Sequence, residues 1–355
     1  MSKKFRIAFL GVDHPHGAGW RRSLLALDER VEITAIVPRF GGATASLDER
    51  YAEAPRFDSV EQLVDGGTFD GAILCLPNNE CPAAALALAE AGKHILVEKP
   101  AAASADPWRP VVEAVRARDV TFQNGYTWRY HEAAGRLRDM VADGRFGKLA
   151  SVEMLYVTSS VARRGADHYL FDAQTSGGGF FNWLACHYID LLFYITGEAV
   201  VGVTARTGVF GPTPSEVEDG GTAIFDLEGG GIATLSGGYW IDRWAGENHW
   251  CIRGSRRWVH WDPAREGTGG VLEIHGPQPQ WDAMEETFTL PEDKEPGYGG
   301  TAALALIDDW VQAAGGERRP LRNTAESTIA TLEVIDAIYE SSQSGQRVEC
   351  RIEAV

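Results

Sequence analysis

Long apolar runs are missing from this chain of 355 residues: no stretch reaches the roughly 18 residues a membrane span needs, and the apolar run in the opening MSKKFRIAFLGV is only a strand's length, with no small-residue cleavage site behind it. A soluble, unprocessed protein is expected. Basic residues are scarce beside acidic ones, Lys+Arg 33 against Asp+Glu 50, and the formal net charge of -17 opposes unaided binding to nucleic acid or a membrane surface. The expected partner is a small molecule. Cysteine is sparse as well: Cys75, Cys81, Cys186, Cys251 and Cys350 are odd in number, scattered and without a CxxC pair. Neither a disulfide framework nor a thiolate zinc site is indicated, no metal is expected, and a reducing cytoplasm fits best. Internal repeats and low-complexity tracts are also absent.

What is present reads as two domains. Phe5 to Leu10 is a buried-strand run, Trp20 to Leu27 has helical spacing, and Val31 to Val37 returns to a β-branched run, which makes a βαβ unit. Asp58 followed by Glu61 resembles a capping box opening a short helix, and a strand from Gly71 stops at Pro77. Pro82 to Ala91 (helix), His94 to Val97 (strand), Trp108 to Arg118 (helix) and Val120 to Phe122 (strand) repeat the alternation, predicting a Rossmann-type, doubly wound parallel sheet over residues 1–124. After Asn124 the pattern changes. A helix over Glu132 to Asp143, a long strand over Lys148 to Thr158 and a helix behind Gly177 precede mostly strands from Val200 to Leu290; two helices, Thr301 to Ala314 and Ala325 to Ser342, follow. This predicts an α/β domain over 125–355 with a large, mostly antiparallel open sheet. Pro291 to Gly300 is the plausible linker.

A glycine directly after the first strand allows the sharp turn that aims backbone N–H groups at a pyrophosphate, and Gly11 supplies it. The remaining fingerprint glycines are missing, since positions 13 and 16 hold Asp13 and His16. Asp13 reads equally well as a helix N-cap; His14 and His16 could donate to phosphate or serve as ordinary polar residues. The acid that usually ends the second strand and accepts from the adenine ribose is replaced by Val37-Pro38-Arg39. Arg39 could neutralise a 2′-phosphate, which favours NADP slightly over NAD, or be a solvated loop charge.

Further on come Leu76-Pro77-Asn78 and Gly92-Lys93-His94-Ile95-Leu96-Val97-Glu98-Lys99-Pro100, then Gln123-Asn124-Gly125-Tyr126-Thr127-Trp128-Arg129-Tyr130, Gly144-Arg145-Phe146-Gly147-Lys148, and Gly177-Gly178-Gly179 followed by His187-Tyr188-Ile189-Asp190. In order and spacing these blocks resemble the Gfo/Idh/MocA oxidoreductases over nearly the whole chain. The resemblance implies an NADP or NAD cofactor held by Gly11, Asp13, His14, His16, Arg39, Pro77, Asn78, Glu98, Lys99 and Gln123. It implies catalysis by Lys99, which would donate to a substrate oxygen, and by His187 as general base with Asp190 one helical turn on. Substrate would meet Trp128, Arg129, His168, Asn182, Trp183 and His187, and the active site would lie between the domains.

Two departures stand out. Where polyol- and sugar-oxidising members commonly have an aspartate four residues before the histidine, this chain has Trp183, and where some inositol-type members have an arginine it has Trp128. Both could be packing; together they suggest a ligand with an apolar face, such as a pyranose ring or an aglycone. Asp167 and Asp172 are further polar candidates. A zinc site from His187, Asp190 and another histidine lacks a recognisable spacing. Trp240, Trp244, Trp250, Trp258, Trp261 and Trp281 fall in the antiparallel sheet, where burial between subunits of a homo-oligomer, a dimer or tetramer, is the expected use for most of them.

The function implied is hydride transfer between nicotinamide and a carbinol or carbonyl carbon of a sugar, polyol or glycoside. Two alternatives stay open: a glycosidase that oxidises its sugar transiently, eliminates the leaving group and reduces it back, and a non-catalytic nucleotide-binding regulatory subunit.

Overall fold

The computed structural model describes residues 3–355 apart from 15–16, 43, 45–46, 166–167, 244–245, 264–269, 277–282, 298 and 318. The chain divides into two compact units, Met1–Tyr130 with Lys294–Ile329, and His131–Asp293 with Ala330–Val355. A single cut after Asn124 does not describe this division. The helix Gly300–Ala314 joins the first unit because Ala303, Leu306, Ile307 and Trp310 are buried in one cluster with Ile7, Phe9, Trp20 and Leu24.

The first unit is built on five parallel strands, β1 (Phe5–Leu10), β2 (Val31–Val37), β3 (Gly71–Leu74), β4 (His94–Val97) and β5 (Phe122–Asn124), in the order β2-β1-β3-β4-β5. Strand residues such as Ile7, Ala8, Ile73, Leu74, Ile95 and Leu96 are fully buried, as parallel strands covered on both faces must be. The order reverses between β1 and β3, and that is where open α/β sheets place a crevice at their carboxyl edge. The short helix Val60–Gly66 is capped by Ser59, whose side chain accepts from the Gln62 N–H at 3.2 Å, so the cap lies one residue beyond the expected Asp58.

In the second unit nine strands form one sheet: β6 (Leu149–Ser159), β7 (Val200–Gly208), β8 (Gly220–Leu227), β9 (Ile232–Ile241), β10 (Glu247–Gly254), β11 (Trp258–Asp262), β12 (Val271–His275), β13 (Met284–Thr289) and β14 (Val348–Ile352). Their order is β13-β12-β11-β10-β6-β9-β8-β7-β14, and every pair is antiparallel except β6 with β9. Trp250 and Trp261 face each other across β10 and β11 with no exposed surface in a single chain, and Tyr188 packs against Trp250 at 5.0 Å. These two tryptophans are interior, contrary to the subunit-interface expectation, because alternation puts them on the inner face of the sheet. Trp240 is half-buried and its indole N–H donates to the Asp219 carboxylate at 3.2 Å. Trp258 is half-buried, while Trp244 and Trp281 lie outside the described residues.

Candidate functional site

The loop after β1 is pinned at the carboxyl edge of the parallel sheet. The Gly11 N–H donates to the Val37 carbonyl at 2.7 Å, and the Cys75 N–H donates to the Leu10 carbonyl at 2.9 Å. Gly11 has φ of +69°, and a side chain there would run into the Cys75 carbonyl, so only glycine fits. Asp13 is neither a helix cap nor free to oppose a pyrophosphate: its carboxylate accepts from the backbone N–H groups of Arg39 (2.7 Å), Phe40 (2.7 Å) and Gly42 (3.0 Å). Those three donors satisfy the charge and tie the β2 loop to the β1 loop. His14 is buried with its ring edge-on to Phe40 at 4.8 Å. His16 lies outside the described residues. Gly17 opens the following helix, one position past the expected fingerprint site.

Arg39 is half-exposed and pairs with both carboxylate oxygens of Glu80, through its Nε at 2.6 Å and through its Nη2. Pro77 and Asn78 are buried at the end of β3. Beyond β4, Glu98 and Lys99 are both buried, with the Glu98 Oε1 3.7 Å from the Lys99 Nζ. The Trp20 indole N–H donates to the other Glu98 oxygen at 2.6 Å. Burial pushes the Glu98 carboxyl above the usual carboxylate range, against the opposing pull of Lys99 and Trp20. Gln123 is fully buried and donates to the Tyr130 hydroxyl at 2.7 Å. Arg129 is buried and donates to the Arg322 carbonyl at 2.5 Å, whereas Trp128 beside it is half-buried.

In the second unit the glycine run has a structural cause. Gly177 takes the left-handed conformation that ends the helix Ala173–Ser176, whose N-cap is Asp172; Asp172 is thereby committed to the Thr175 N–H at 2.7 Å. Side chains at Gly178 and Gly179 would run into Tyr339 and the Glu218 carbonyl. Glu218 is buried and accepts from Gly179 N–H (2.7 Å), Phe181 N–H (3.0 Å) and the Tyr339 hydroxyl (2.9 Å). Burial raises its carboxyl and these donors oppose the rise. This brace holds a π-helical turn, Phe181–Ala185, that continues into the helix Cys186–Thr196. Asn182, Trp183, His187 and Asp190 are all buried on this segment. The Asn182 amide donates to the Ser176 carbonyl at 2.7 Å, and Trp183 meets Tyr169 edge-on at 5.9 Å. His168 is half-buried, accepts from the Leu170 N–H at 3.3 Å, and is held below the usual imidazole range by burial and then by Arg164. Asp167 lies outside the described residues. Trp20 and Glu218 are the supporting residues that sequence reasoning missed: each acts on a partner 78 and 39 positions away in the chain, with no local motif.

The chain matches the oxidoreductase family with NAD-binding Rossmann fold over residues 5–126 and the Gfo/Idh/MocA C-terminal domain over residues 135–260. It belongs to the Gfo/Idh/MocA family of NAD-binding oxidoreductases. It is similar to the uncharacterized oxidoreductase YrbE of Bacillus subtilis, 30% identical over 54% of this chain and about half (56%) of that protein. It is also similar to dTDP-3,4-didehydro-2,6-dideoxy-alpha-D-glucose 3-reductase of Streptomyces violaceoruber, 26% identical over 89% of this chain and 90% of that one. Among solved structures, levoglucosan dehydrogenase in complex with NADH shares the fold, with a TM-score of 0.85 and 18% identity over 99% of this chain and 100% of the other. Among the described residues no helix is long and apolar enough to cross a membrane.

Proposed function

We propose that this protein carries out reversible hydride transfer on a carbinol or carbonyl carbon of a sugar, polyol or glycoside, with the first unit holding the nicotinamide cofactor and the second the substrate. The observation that carries the proposal is the carboxyl edge of the parallel sheet, where the Gly11 turn, the loop after β3 and the buried Lys99 come from strands on either side of the order reversal. The residues present fit such a cofactor. Gly11 keeps the first turn tight, and the Asp13 charge is already spent on three backbone donors. When bound, the cofactor supplies the hydride acceptor or donor. Lys99 polarises the substrate oxygen, His187 accepts or returns the hydroxyl proton, and Asp190, one turn along the same buried helix, orients the imidazole. The relatives named as a nucleotide-sugar reductase and as levoglucosan dehydrogenase support the substrate class. The half-buried indole of Trp128 supports a ligand with an apolar face.

Arg39 gives NADP a modest advantage over NAD, because a 2′-phosphate offers its guanidinium a stronger partner than a bare ribose does. Glu80 competes for the same guanidinium, which keeps the preference small. The protein works in the cytoplasm as a homo-oligomer assembled through the β8–β9 part of the nine-stranded sheet's outer face, where Ile224 and Ile232 are exposed. A screen of sugars, polyols and aryl glycosides, read by cofactor fluorescence and aglycone release in parallel, tests the reading. Cofactor reduction by a free sugar or polyol supports it. Aglycone release without net reduction would instead indicate glycoside cleavage through transient oxidation, and bound nicotinamide that never changes redox state would indicate a regulatory subunit.

A further inference from the structure

Two neighbouring strands bring three metal-binding side chains together on the outer face of the nine-stranded sheet. β10 and β11 are antiparallel, with Cys251 opposite His260 and Trp250 opposite Trp261. Side chains alternate along a strand, so the inward tryptophans leave Cys251 and His260 sharing the outer face, with His249 two residues before Cys251 on that same face. The ligating atoms of His249, Cys251 and His260 all lie within 4.8 Å of one another.

We propose that His249, Cys251 and His260 form a site for one zinc-class divalent cation, with the fourth position open to water. Zinc bonds of about 2.3 Å to sulfur and about 2.0–2.1 Å to nitrogen place tetrahedral ligand atoms roughly 3.3–3.6 Å apart. The cluster needs to close by about 1 Å, a movement within reach of rotation about χ1 and χ2 of the two imidazoles. Both histidines are half-buried, while the Cys251 thiol is shielded. The surrounding charge suits a cation. Glu153 pairs with Cys251 across β6 and β10, Glu273 pairs with His260 across β11 and β12, and the adjacent Arg253 is bound to Glu153 at 3.1 Å. Two imidazoles and a thiolate are a borderline-soft set that selects zinc over magnesium or calcium. The helix bearing His187 packs on the inner face through Tyr188 and Trp250, so the cluster occupies the opposite face of the sheet and would cross-link β10 to β11.

Tag-free full-length protein, stripped with chelator and re-equilibrated in a zinc buffer, is expected to retain one zinc per chain by elemental analysis, with magnesium and calcium failing to compete. Cobalt in the same site should give a thiolate-to-metal band in the near ultraviolet. Cys251→Ser should abolish that band and weaken zinc at least about a hundredfold, since changes even to groups behind the ligands cost roughly 10–100-fold. His249→Ala, at a half-buried position, should weaken zinc to a similar extent and serves as the test should Cys251→Ser fail to fold. Substoichiometric zinc in the parent, or zinc affinity that is unchanged in a folded variant, would overturn the assignment.

Discussion

Replacing Trp20 with phenylalanine isolates the bond that supports the Glu98–Lys99 pair. The Trp20 indole donates to the Glu98 carboxylate at 2.6 Å, inside a cluster where Trp20 is 1% exposed. Phenylalanine keeps an aromatic body but removes the donor from a nearly fully buried carboxylate. A hydrogen bond to a charged group is worth about 1.5–3 kcal/mol, and the lost ring atoms in a packed core add about 1 kcal/mol. The expected cost is therefore about 2.5–4 kcal/mol, which for a unit of this size lowers the melting temperature by roughly 5–15 °C. The pH dependence follows from burial, which raises the folded pKa of Glu98 above its unfolded value. Stability linked to Glu98 is then fully present below the unfolded value and is lost as pH rises through the folded value. Removing the Trp20 donor raises the folded value further, so the cost of Trp20→Phe is greatest at neutral pH and shrinks on acidification. Urea unfolding of the parent, Trp20→Phe, Glu98→Gln and the double variant gives the coupling directly, expected to be at least about 1 kcal/mol. A single variant within 0.5 kcal/mol of the parent, together with zero coupling, would refute the reasoning.

Asp70→Asn should cost about 1–2 kcal/mol at pH 7, because Asp70 accepts from the Arg6 backbone N–H at 2.9 Å and from its guanidinium at 3.0 and 2.5 Å. The Arg6 bonds hold that carboxyl below its usual range, so the contribution is present above the unfolded value of about 3.9 and is lost as pH falls through the folded one; the urea midpoints of parent and variant should converge in acid. Gly179→Ala should destabilise by about 1–3 kcal/mol or more, since the new methyl meets the Glu218 carbonyl; an unchanged melting temperature would show that the glycine run does not pack as described. Arg39→Ala should weaken NADP at least roughly tenfold and NAD little, consistent with a charge-assisted contact of about 1.5–3 kcal/mol, while Glu80→Gln should tighten NADP by freeing the guanidinium. Isothermal titration with both cofactors decides this, and equal losses for NAD and NADP would remove Arg39 from phosphate recognition.

The alternation of β-branched runs with helical spacing made the parallel sheet legible, and each of its five strands falls within two residues of where periodicity places it. The second sheet was legible as mostly antiparallel but not in its order, because β6 pairs parallel with β9 across 72 intervening residues that no local pattern connects. Capping slipped by one residue at Ser59, where Asp58 offered an equally good local signal. At the site, the tight turn at Gly11 was readable because its geometry is local, whereas Glu98-Lys99-Pro100 stood out through its resemblance to a family motif. Asp13 and Arg39 were not, since their partners at 39–42 and at Glu80 are set by how loops meet at the sheet edge. Trp250 and Trp261 were assigned to the wrong side because facing direction depends on register, and register also brings His249 and Cys251 to His260.

The most direct test of the account is isotope transfer with a substrate found in the screen. A sugar or polyol carrying deuterium on its carbinol carbon is incubated with oxidised cofactor and parent protein, and the cofactor is examined by mass spectrometry and NMR. The account predicts one deuterium delivered to the nicotinamide C4 per product formed, at a rate lowered at least about a hundredfold in Lys99→Ala, as loss of a group acting on the reacting oxygen should be. Deuterium appearing in solvent while the cofactor stays unlabelled, or an unchanged rate in Lys99→Ala, would contradict it.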